Sequence, residues 1–400
     1  MTKPRVLQLM DSFNQGGSER QAVQLTQLLH QSGEYDVLVA CLDGRGVLRT
    51  EIEKLGLDEI PEFPLTSFYD ANFFQQLIRF VRYLRQQNIA IVQSSDFYTN
   101  IFGMFGAKLA GVSVRIAARR ESGKRSAFKR RIERLAYWQA QAVIANCEAV
   151  RDELIVEGVP ANKILTSYNG LELERFKPRQ ESQRDELLTS FGLSAVAGRR
   201  LVTMVANLRP VKDQATFLQA ARLVREVVPD VAFCLAGEGE LLNPLRQQAA
   251  QLGLAEDVFF NGRCERVAEL LSVSDIGVLS SASEGFSNAI IEYMAAGLSV
   301  VVTNVGGARE AVVEAETGFL VQPGDADAMA RRLIELLNNP ARARAMGERA
   351  RHIVEEKFSS AALLERTRRL YERLLSLPPS ANSSGLTPAL MDSKSRGLSR

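Results

Sequence analysis

The chain has 400 residues, and because single domains usually span about 100–200 residues, its length predicts two compact units. Hydrophobic residues make up 46% of the chain and charged residues 24%, which is typical of a globular protein and excludes a fibrous or wholly disordered one. Lys and Arg number 49 against 47 for Asp and Glu, so the net charge of +2 gives no bulk attraction for nucleic acid.

Histidine and cysteine usage limits metal and disulfide chemistry. The chain has two His, and its four Cys lie far apart with no C-x-x-C spacing. A multi-histidine metal site, a zinc site and a disulfide framework are therefore excluded, and we expect a reducing compartment and no metal or other cofactor. The apolar run at residues 6–10 is too short for a signal-peptide core, and no stretch reaches the ~18 apolar residues of a membrane span. We therefore expect a cytoplasmic protein.

The first part of the chain alternates short apolar runs with helical patterns. We predict strands at residues 6–10, 37–41, 89–92, 114–118 and 142–145, with helices at 18–29 and 73–87. Runs such as Val37 to Ala40 are continuously apolar, as in parallel strands that are covered by helices on both faces. This pattern predicts a doubly wound α/β domain over residues 1–175.

A second α/β series follows a polar, proline-containing stretch, which we take as an interdomain linker at residues 176–199. For a second domain at residues 200–357, we predict strands at 201–206, 232–236, 258–261, 276–279 and 300–303 and helices at 213–227, 241–252, 266–272 and 287–296. A helical region at 325–377 ends with a last helix at 358–377, and the Ser- and Pro-containing tail at 378–400 is predicted to be disordered.

Paired glycines follow the first predicted strand. Gly16 and Gly17 would let a ligand approach the backbone, and Ser18 is predicted to cap a helix whose first amides could bind an anion. The alternative is an ordinary tight turn. No G-x-G-x-x-G follows this strand, which argues against a dinucleotide-dependent dehydrogenase.

Two cations follow the first strand of the second domain. Arg209 and Lys212 lie on a predicted strand-to-helix loop, where a guanidinium fork and an ammonium group suit a diphosphate. The alternative is a pair of solvated loop cations.

The segment 283–297 is the strongest candidate for chemistry. Glu284 lies on a predicted loop, and Glu292 lies about one turn inside the helix that follows, on the side that can face Glu284. Two carboxylates can accept hydrogen bonds from sugar hydroxyls, and the backbone amides of four residues at the helix start could bind a phosphate. Those residues are Gly285, Phe286, Ser287 and Asn288. The alternative is a helix cap with a surface charge.

These residues form a recognisable pattern. Glu284 and Glu292, separated by seven residues and followed by the Ala-Ala-Gly at 295–297 and the Gly-Gly at 306–307, resemble the donor-site signature of retaining family 4 glycosyltransferases. The resemblance runs from residue 6 to about residue 375. It includes the segments 16–20, 145–150, 168–170, 237–239 and 318–324.

The resemblance implies the GT-B fold, in which two Rossmann-like doubly wound domains face each other across a cleft. The N-terminal domain would receive the acceptor, the C-terminal domain would bind the nucleotide-sugar, and the last helix would cross back to the N-terminal domain. The expected donor is a UDP-sugar, with a GDP-sugar as the alternative. The implied enzyme is a retaining, metal-independent hexosyltransferase of polysaccharide or glycolipid synthesis.

The resemblance also implies residue roles. Glu284 would contact the donor sugar, Glu292 the ribose, and Arg209 with Lys212 the diphosphate. Gly16 and Gly17 would let the loop of the first domain approach the same phosphates. The four residues 285–288 would complete the donor site.

Two departures from the family pattern concern the chemistry. The family arginine stands five residues before the lysine, where this chain has Asn207, so Arg209 would have to replace it. The family also often has a histidine after the third strand, where this chain has Ser95 beside Asp96. We take Ser95, Asp96, Arg119 and Arg120 as candidates for the acceptor side.

A basic segment at residues 115–134 contains nine Lys and Arg against Glu121 and Glu133. Phe128, Ile132, Leu135 and Trp138 recur at helical spacing, and we predict that this apolar stripe packs in the core with the basic face in solvent. The alternative is peripheral contact with an anionic membrane, or binding of a lipid-diphosphate or acidic saccharide acceptor.

The main hypothesis is therefore a glycosyltransferase that moves a sugar to a hydroxyl of a saccharide or lipid-linked acceptor. One alternative is a nucleotide-sugar 2-epimerase of the same architecture. A non-catalytic nucleotide-sugar-binding protein on a transferase scaffold is the other, and Ser95 in place of the family histidine motivates it.

Overall fold

A computed structural model describes residues 3–68, 70–123, 125–176 and 183–377. The predicted tail at 378–400 and residues 177–182 of the predicted linker lie outside the described residues. The chain divides into two compact units. The first contains the described residues up to 120, residues 125–167 and residues 363–377, and the second contains residues 121–123 and the described part of 168–362. Within the described part of the chain, no helix combines the length and apolar character needed to cross a membrane.

The division between the units differs from the predicted boundary at residue 175. Leu171 belongs to the second unit because its backbone amide donates to the carbonyl of Phe358 (2.8 Å) and its carbonyl accepts from the amide of Ser360 (2.9 Å). The second half of the predicted linker is also folded: it contains a helix at Arg184–Ser190, and Leu188 and Val196 are fully buried in the core of the second unit. Apolar side chains therefore make this segment part of a domain.

The first unit is a six-stranded parallel sheet with helices. Its strands are β1 Arg5–Met10, β2 Asp36–Cys41, β3 Ile91–Ser94, β4 Val114–Arg119, β5 Ala142–Ala145 and β6 Ile164–Thr166. Its helices are α1 Gly17–Ser32, α2 Arg49–Glu53, α3 Ala71–Gln86, α4 Phe97–Ala110, α5 Ala127–Gln139 and α6 Glu148–Val156. The strand order is β2-β1-β3-β4-β5-β6, which confirms the predicted doubly wound α/β class.

The final helix of the described chain packs with the first unit. From residue 363 onward it contributes Leu363, Leu370 and Leu374 to a core cluster with residues of α1, β1 and β3–β5. The hydroxyl of Tyr371 accepts from Gln8 Nε2 (3.1 Å) and donates to Gln93 Oε1 (2.7 Å) inside this core. These two buried hydrogen bonds connect the helix to the adjacent strands β1 and β3.

The second unit has a second six-stranded parallel sheet. Its strands are β7 Arg200–Val205, β8 Val231–Ala236, β9 Val258–Gly262, β10 Ile276–Leu279, β11 Ser299–Thr303 and β12 Gly318–Val321. The remaining helices of the chain are α7 Arg184–Ser190, α8 Gln214–Val227, α9 Leu242–Gln251, α10 Val267–Ser272, α11 Asn288–Ala295, α12 Ala308–Ala311, α13 Ala326–Leu337, α14 Pro340–Lys357 and α15 Ser360–Ser376. The strand order is β12-β11-β10-β7-β8-β9, the arrangement of a dinucleotide-binding domain.

Each sheet has a point at which the strand order reverses. In the first sheet β1 pairs with both β2 and β3, and in the second β7 pairs with both β8 and β10. Parallel α/β sheets bind ligands outside the carboxyl ends of the strands at this point, because the flanking loops diverge to opposite faces. The loops after β7 and β10, and those after β1 and β3, are therefore where binding residues are expected.

Candidate active site

The loops after β7 and β10 bring together two of the predicted site residues. The Nζ atom of Lys212 donates to Glu284 Oε1, and Ser281 Oγ donates to the same oxygen at 2.6 Å. The side chains of Lys212 and Glu284 are 22% and 13% exposed, so the ion pair is mostly shielded but can be reached from solvent. Residues 72 positions apart thus form one charged cluster at the switch point of the second sheet.

Local backbone structure places Lys212. It ends a single 3₁₀ turn at Pro210–Lys212, and Asp213 follows in the left-handed region at φ 46°. The carboxylate of Asp213 accepts from the Thr216 amide (3.3 Å) and hydroxyl (2.7 Å), which caps α8. Ser280 Oγ, at the end of β10, donates to the carbonyl of Asp213 at 2.8 Å. The loop that carries Lys212 is therefore held directly against β10.

The loop that carries Glu284 packs against a glycine turn. Gly306 has φ +51°, and a Cβ added there would lie 2.2 Å from the carbonyl oxygen of Glu284. The amide of Gly307 donates to the Gly285 carbonyl at 2.7 Å, and Thr303 Oγ1 donates to the Ser281 carbonyl at 2.6 Å. Glycine is thus needed at position 306 because the two backbones lie in contact there.

Arg209 is placed differently from Lys212. Its side chain is exposed on the same loop, and it is Lys212 that pairs with Glu284. The segment 237–239 packs against this loop, since a Cβ at Gly239 would lie 2.4 Å from the Leu208 carbonyl oxygen. Asn207, at the position of the family arginine, is exposed, and its carbonyl accepts from Gln214 Nε2 at 2.9 Å.

Helix α11 carries the other predicted donor residues. Ser287 occupies the N-cap position but its side chain makes no capping hydrogen bond, and Asn288 Oδ1 accepts from Asn169 Nδ2 at 2.7 Å. The ring of Phe286 is buried against Tyr168 and Phe358, so any donor contact there would come from the backbone. Gly285 is buried, and its carbonyl accepts from the amide of Gly307 in the glycine turn.

Glu292 lies half-buried on α11, beside a residue that anchors the helix. The hydroxyl of Tyr293 accepts from the Val205 amide (2.7 Å) and donates to the Val278 carbonyl (3.0 Å). Tyr293 therefore fixes α11 to the ends of both β7 and β10, the two strands that flank the switch point. Sequence reasoning did not single out Tyr293, whose only signal is a tyrosine on an otherwise apolar helix face.

In the first unit, helix α1 begins at Gly17 with Gly16 as its N-cap residue. The predicted cap at Ser18 is therefore wrong, because the chain already has helical geometry at Gly17 while Gly16 is extended at φ −92° and ψ 165°. The carbonyl of Gly16 accepts from the Arg20 amide at 3.1 Å. The paired glycines thus lie at the start of a helix, as the predicted approach to phosphates requires.

The acceptor-side candidates Ser95 and Asp96 follow β3. Asp96 caps α4 in a capping box, with its Oδ1 accepting from the Thr99 amide at 3.1 Å. Ser95 is buried, and its hydroxyl lies 3.5 Å from the Leu9 carbonyl oxygen and 3.4 Å from Asp96 Oδ2. Part of the hydrogen-bonding capacity of both residues therefore serves the local fold.

Arg119 and Arg120 follow each other at the end of β4 but have different surroundings. Arg119 is 1% exposed and donates to Glu157 Oε2 (2.5 Å) and Glu153 Oε2 (3.3 Å). This buried ion pair argues against the predicted acceptor contact for Arg119. Arg120 is half-buried, and its carbonyl accepts from Asn146 Nδ2 at 2.9 Å. Alternate residues of a strand point to opposite faces, which separates the two side chains.

Asp11 is a candidate that sequence reasoning missed. It follows β1 directly, and β1 neighbours β3 in the sheet, so Asp11 lies near Asp96. Burial, together with the negative charge of the nearby Asp96 carboxylate, raises the pKa of Asp11 to about 7. Burial also raises the pKa of Asp96 and lowers that of Arg120 to about 10, an effect that Asp96 opposes. The sequence did contain one signal for this residue, which is an aspartate directly after a strand at the switch point.

The raised pKa of Asp11 predicts a pH-dependent effect of Asp11→Asn. Its folded-state pKa of about 7 exceeds its ordinary value of 3.8, so the proton stabilises the folded state at low pH and this stabilisation is lost as pH rises toward 7. The Tm gain of Asp11→Asn over the wild-type protein should therefore increase from pH 5 to pH 8. Thermal melts of both proteins check this, with the exposed Asp58→Asn as a control for loss of one carboxylate. A gain that shrinks with rising pH would contradict the assignment.

Over the described ranges, no group of three or more His, Cys, Asp or Glu side chains is arranged to hold a metal ion. The positive charge at the switch point of the second sheet comes from Lys212 and Arg209, beside the positive end of the α11 helix dipole.

Two family models match the chain. The model described as "Glycosyltransferase Family 4" matches residues 15–175, and the one described as "Glycosyl transferases group 1" matches residues 189–353. The two matches lie one after the other, in the order of the two sheets. Together they account for most of both units.

Individual relatives agree with the family models. The chain is 28% identical over 286 residues to the UDP-Gal:alpha-D-GlcNAc-diphosphoundecaprenol alpha-1,3-galactosyltransferase of Escherichia coli, covering 66% of this chain and 70% of the relative. It is 32% identical over 171 residues to EpsD of Bacillus subtilis, covering 43% of this chain, and it spans only 44% of the length of EpsD.

A solved structure shares the fold. The crystal structure of HepE from Anabaena in complex with UDP superimposes with a TM-score of 0.82 at 21% identity, covering 92% of this chain and all of HepE. This likeness concerns the fold, and the family models supply the relationship. The predicted family and fold class are therefore confirmed: the chain belongs to the family 4 glycosyltransferases and has the GT-B fold.

Proposed function

We propose that the chain is a retaining glycosyltransferase that moves a hexosyl group from a nucleotide-diphosphate-sugar to a hydroxyl of a saccharide or lipid-linked acceptor in polysaccharide or glycolipid synthesis. The observation that carries this proposal is the Lys212–Glu284 pair at the switch point of the second sheet. The two side chains lie next to each other, and one is a cation suited to a diphosphate while the other is a carboxylate suited to sugar hydroxyls. This matches a donor in which the sugar is bonded directly to the diphosphate.

The charges of the site suit departure of a nucleoside diphosphate. Lys212, supported by Arg209 on the same loop, would stabilise the negative charge that develops on the diphosphate. Glu284 would accept a hydrogen bond from a hydroxyl of the donor sugar and orient its ring. Glu292 would bind the ribose, and the backbone amides at 285–288 would contact the phosphates at the start of α11.

The proposed reaction retains the anomeric configuration. The acceptor oxygen bonds to the anomeric carbon on the face from which the diphosphate departs, the bond from that carbon to the phosphate oxygen breaks, and the departing phosphate takes the acceptor proton. Proton transfer to the leaving group does not need the histidine that Ser95 replaces. Charge stabilisation by Lys212, Arg209 and backbone amides makes the proposed reaction metal-independent.

The acceptor would bind at the carboxyl edge of the first sheet. Asp96, Arg120 and the newly identified Asp11 lie there as half-buried polar groups at the ends of neighbouring strands. Such groups can bind saccharide hydroxyls or a diphosphate. Gly16 and Gly17, at the start of α1 beside the same edge, would contact the donor phosphates.

A UDP-sugar is the proposed donor. The E. coli relative takes UDP-Gal and a diphosphoundecaprenol-linked acceptor by its name, and HepE was crystallised with UDP and with UDP-glucose. These names support the choice of a uridine donor and of a lipid-linked saccharide as the first acceptor to try. GDP-sugars are the comparison set.

Donor binding and product analysis together test the proposal. We expect UDP-sugars to raise Tm, a UDP-α-hexose to give an α-linked product by NMR, and turnover to persist with EDTA. A ligand at 100 times its Kd stabilises a protein by ~2.7 kcal/mol, which a thermal-shift screen detects easily. A β-linked product would contradict retention, and conversion of the donor without acceptor would indicate the epimerase instead.

A further inference from the structure

Helix α5 exposes the apolar residues that the sequence pattern assigned to the core. Phe128, Leu135 and Trp138 are 57%, 46% and 53% exposed, whereas Glu133, Ala136 and Tyr137 are buried. The predicted core position is therefore wrong for these three members of the stripe, whereas the fourth, Ile132, is half-buried. At ~100° per residue, Leu135 and Trp138 lie on the side of the helix opposite the buried residues.

Buried polar contacts explain this orientation. The hydroxyl of Tyr137 donates to Glu133 Oε1 at 2.7 Å, and the guanidinium of Arg125 also pairs with Glu133. These contacts require Glu133 to face the sheet, which turns the residues on the other side of α5 outward. An arrangement with the apolar stripe inside would move the Glu133 carboxylate into solvent and break both contacts.

The outward face of α5 is also basic. Arg131 is exposed between Leu135 and Trp138 on this face, and Arg134 is half-buried at its edge. Lys129 and Arg130 are exposed nearer the side of Glu133, the one acidic residue of this helix, which is buried. The guanidinium of Arg134 lies 5.8 Å from the centre of the Trp138 ring. The whole chain has a net charge of only +2, so this helix is a local concentration of positive charge next to exposed aromatic and aliphatic groups.

We propose that α5 docks on the surface of an anionic lipid bilayer. Phe128, Leu135 and Trp138 enter the boundary between headgroups and acyl chains, and the Lys and Arg side chains pair with lipid phosphates. Charge complementarity selects this occupant, because one-signed basic groups around apolar anchors suit an anionic, apolar surface, whereas a second copy of this helix would repel it. The docking does not rest on the proposed glycosyl transfer.

The chain contains a single tryptophan, so Trp138 reports on the docking directly. We expect the full chain to co-sediment at low salt with vesicles of phosphatidylcholine and phosphatidylglycerol, and much less at high salt or with phosphatidylcholine alone. Binding should shift the Trp138 emission to shorter wavelength, and brominated lipids should quench it. No co-sedimentation with the anionic vesicles at low salt would overturn the proposal, as would binding without a change in Trp138 emission.

Two variants separate the apolar and electrostatic contributions. Leu135→Ser should lower the partition coefficient about tenfold or more, which is the effect of losing one buried leucine side chain. Arg131→Glu should lower it chiefly at low salt. Val227→Ser and Arg331→Glu, at exposed positions of the second unit, are matched controls and should bind like the wild-type chain.

Two further readouts distinguish the other occupants and the enzyme activity. Light scattering without lipid would detect a dimer, and a dimer that shields Trp138 and is lost in Leu135→Ser would overturn lipid docking in favour of a second copy. The Tm gain with UDP-sugar should be the same in wild type and Leu135→Ser. Loss of vesicle binding with intact donor binding thus tests the surface alone, and failure of the proposed donor site would leave vesicle binding unchanged.

Discussion

Lys212→Met should lower kcat for sugar transfer by about 100- to 1000-fold, the usual cost of removing one group that stabilises developing negative charge. Methionine retains most of the apolar stem of lysine but has no charge. Affinity for the nucleoside diphosphate should fall as well, because Lys212 would bind the diphosphate in the ground state. Steady-state kinetics and calorimetry with UDP measure the two effects separately.

The Lys212–Glu284 ion pair requires a stability control for this variant. Lys212→Met leaves the Glu284 carboxylate, whose side chain is 13% exposed, without its cation and should cost about 1–3 kcal/mol in the free energy of unfolding. The double variant Lys212→Met/Glu284→Gln should regain most of this stability and remain inactive. If activity returned together with stability, Lys212 would have a structural role only.

Arg209→Ala is the matched variant on the same loop. It removes the same charge, but Arg209 is exposed and does not share the Glu284 contact. We expect a smaller loss of kcat than for Lys212→Met, with a weaker affinity for UDP. A larger effect at Arg209 than at Lys212 would show that Arg209 has taken over the role of the family arginine at position 207.

Glu284→Gln should lower kcat/KM by about 10- to 100-fold, because a hydrogen bond to a charged acceptor is worth about 1.5–3 kcal/mol. Glutamine keeps the shape and can still accept from Ser281 Oγ. The affinity for UDP without a sugar should not fall, because Glu284 would contact the sugar and its removal leaves Lys212 free for the phosphates. Calorimetry with UDP and with UDP-sugar measures this difference.

Two results for Glu284→Gln would contradict the proposed role of this residue. Equal weakening of UDP and UDP-sugar binding would place Glu284 at the nucleotide and contradict its assignment to the sugar. Glu256→Gln, an exposed position of the same unit, controls for loss of one carboxylate and should have wild-type kinetics. Unchanged turnover in Glu284→Gln would remove this residue from the site.

Most strands were predictable because each is a local apolar run between turn residues. The strand predicted at 142–145 is β5, and the one predicted at 276–279 is β10, with identical bounds. The strands β6 and β12, which lie at the edges of the two sheets, were not predicted. Helix α4 was missed because it is buried on most sides and lacks an amphipathic pattern.

The long helical region predicted at 325–377 is three helices. Asn338 and Asn339 interrupt it before Pro340, which begins α14, and the chain turns again at Phe358 and Ser359 before α15. Proline at a first helical position marks a helix start, so the first break could have been read from the sequence. The second break was predicted within two residues, since the last helix was expected from residue 358 and α15 begins at Ser360. The ring of Phe358, at this break, contacts Tyr168 and Phe286.

The sequence by itself determined the α/β class, two units, the family resemblance and the residues Lys212, Glu284 and Glu292 as a set, because strand patterns and turn chemistry are local properties. Only the tertiary structure decided that Lys212 and Glu284 form a pair, that Asp11 lies near Asp96, and that Arg119 is buried with Glu157. The 400 residues and near-zero net charge also gave no indication that α5 turns its apolar side outward. These outcomes depend on which strands are neighbours and on which buried contacts compete, and neither is recorded in the spacing of residues along the chain.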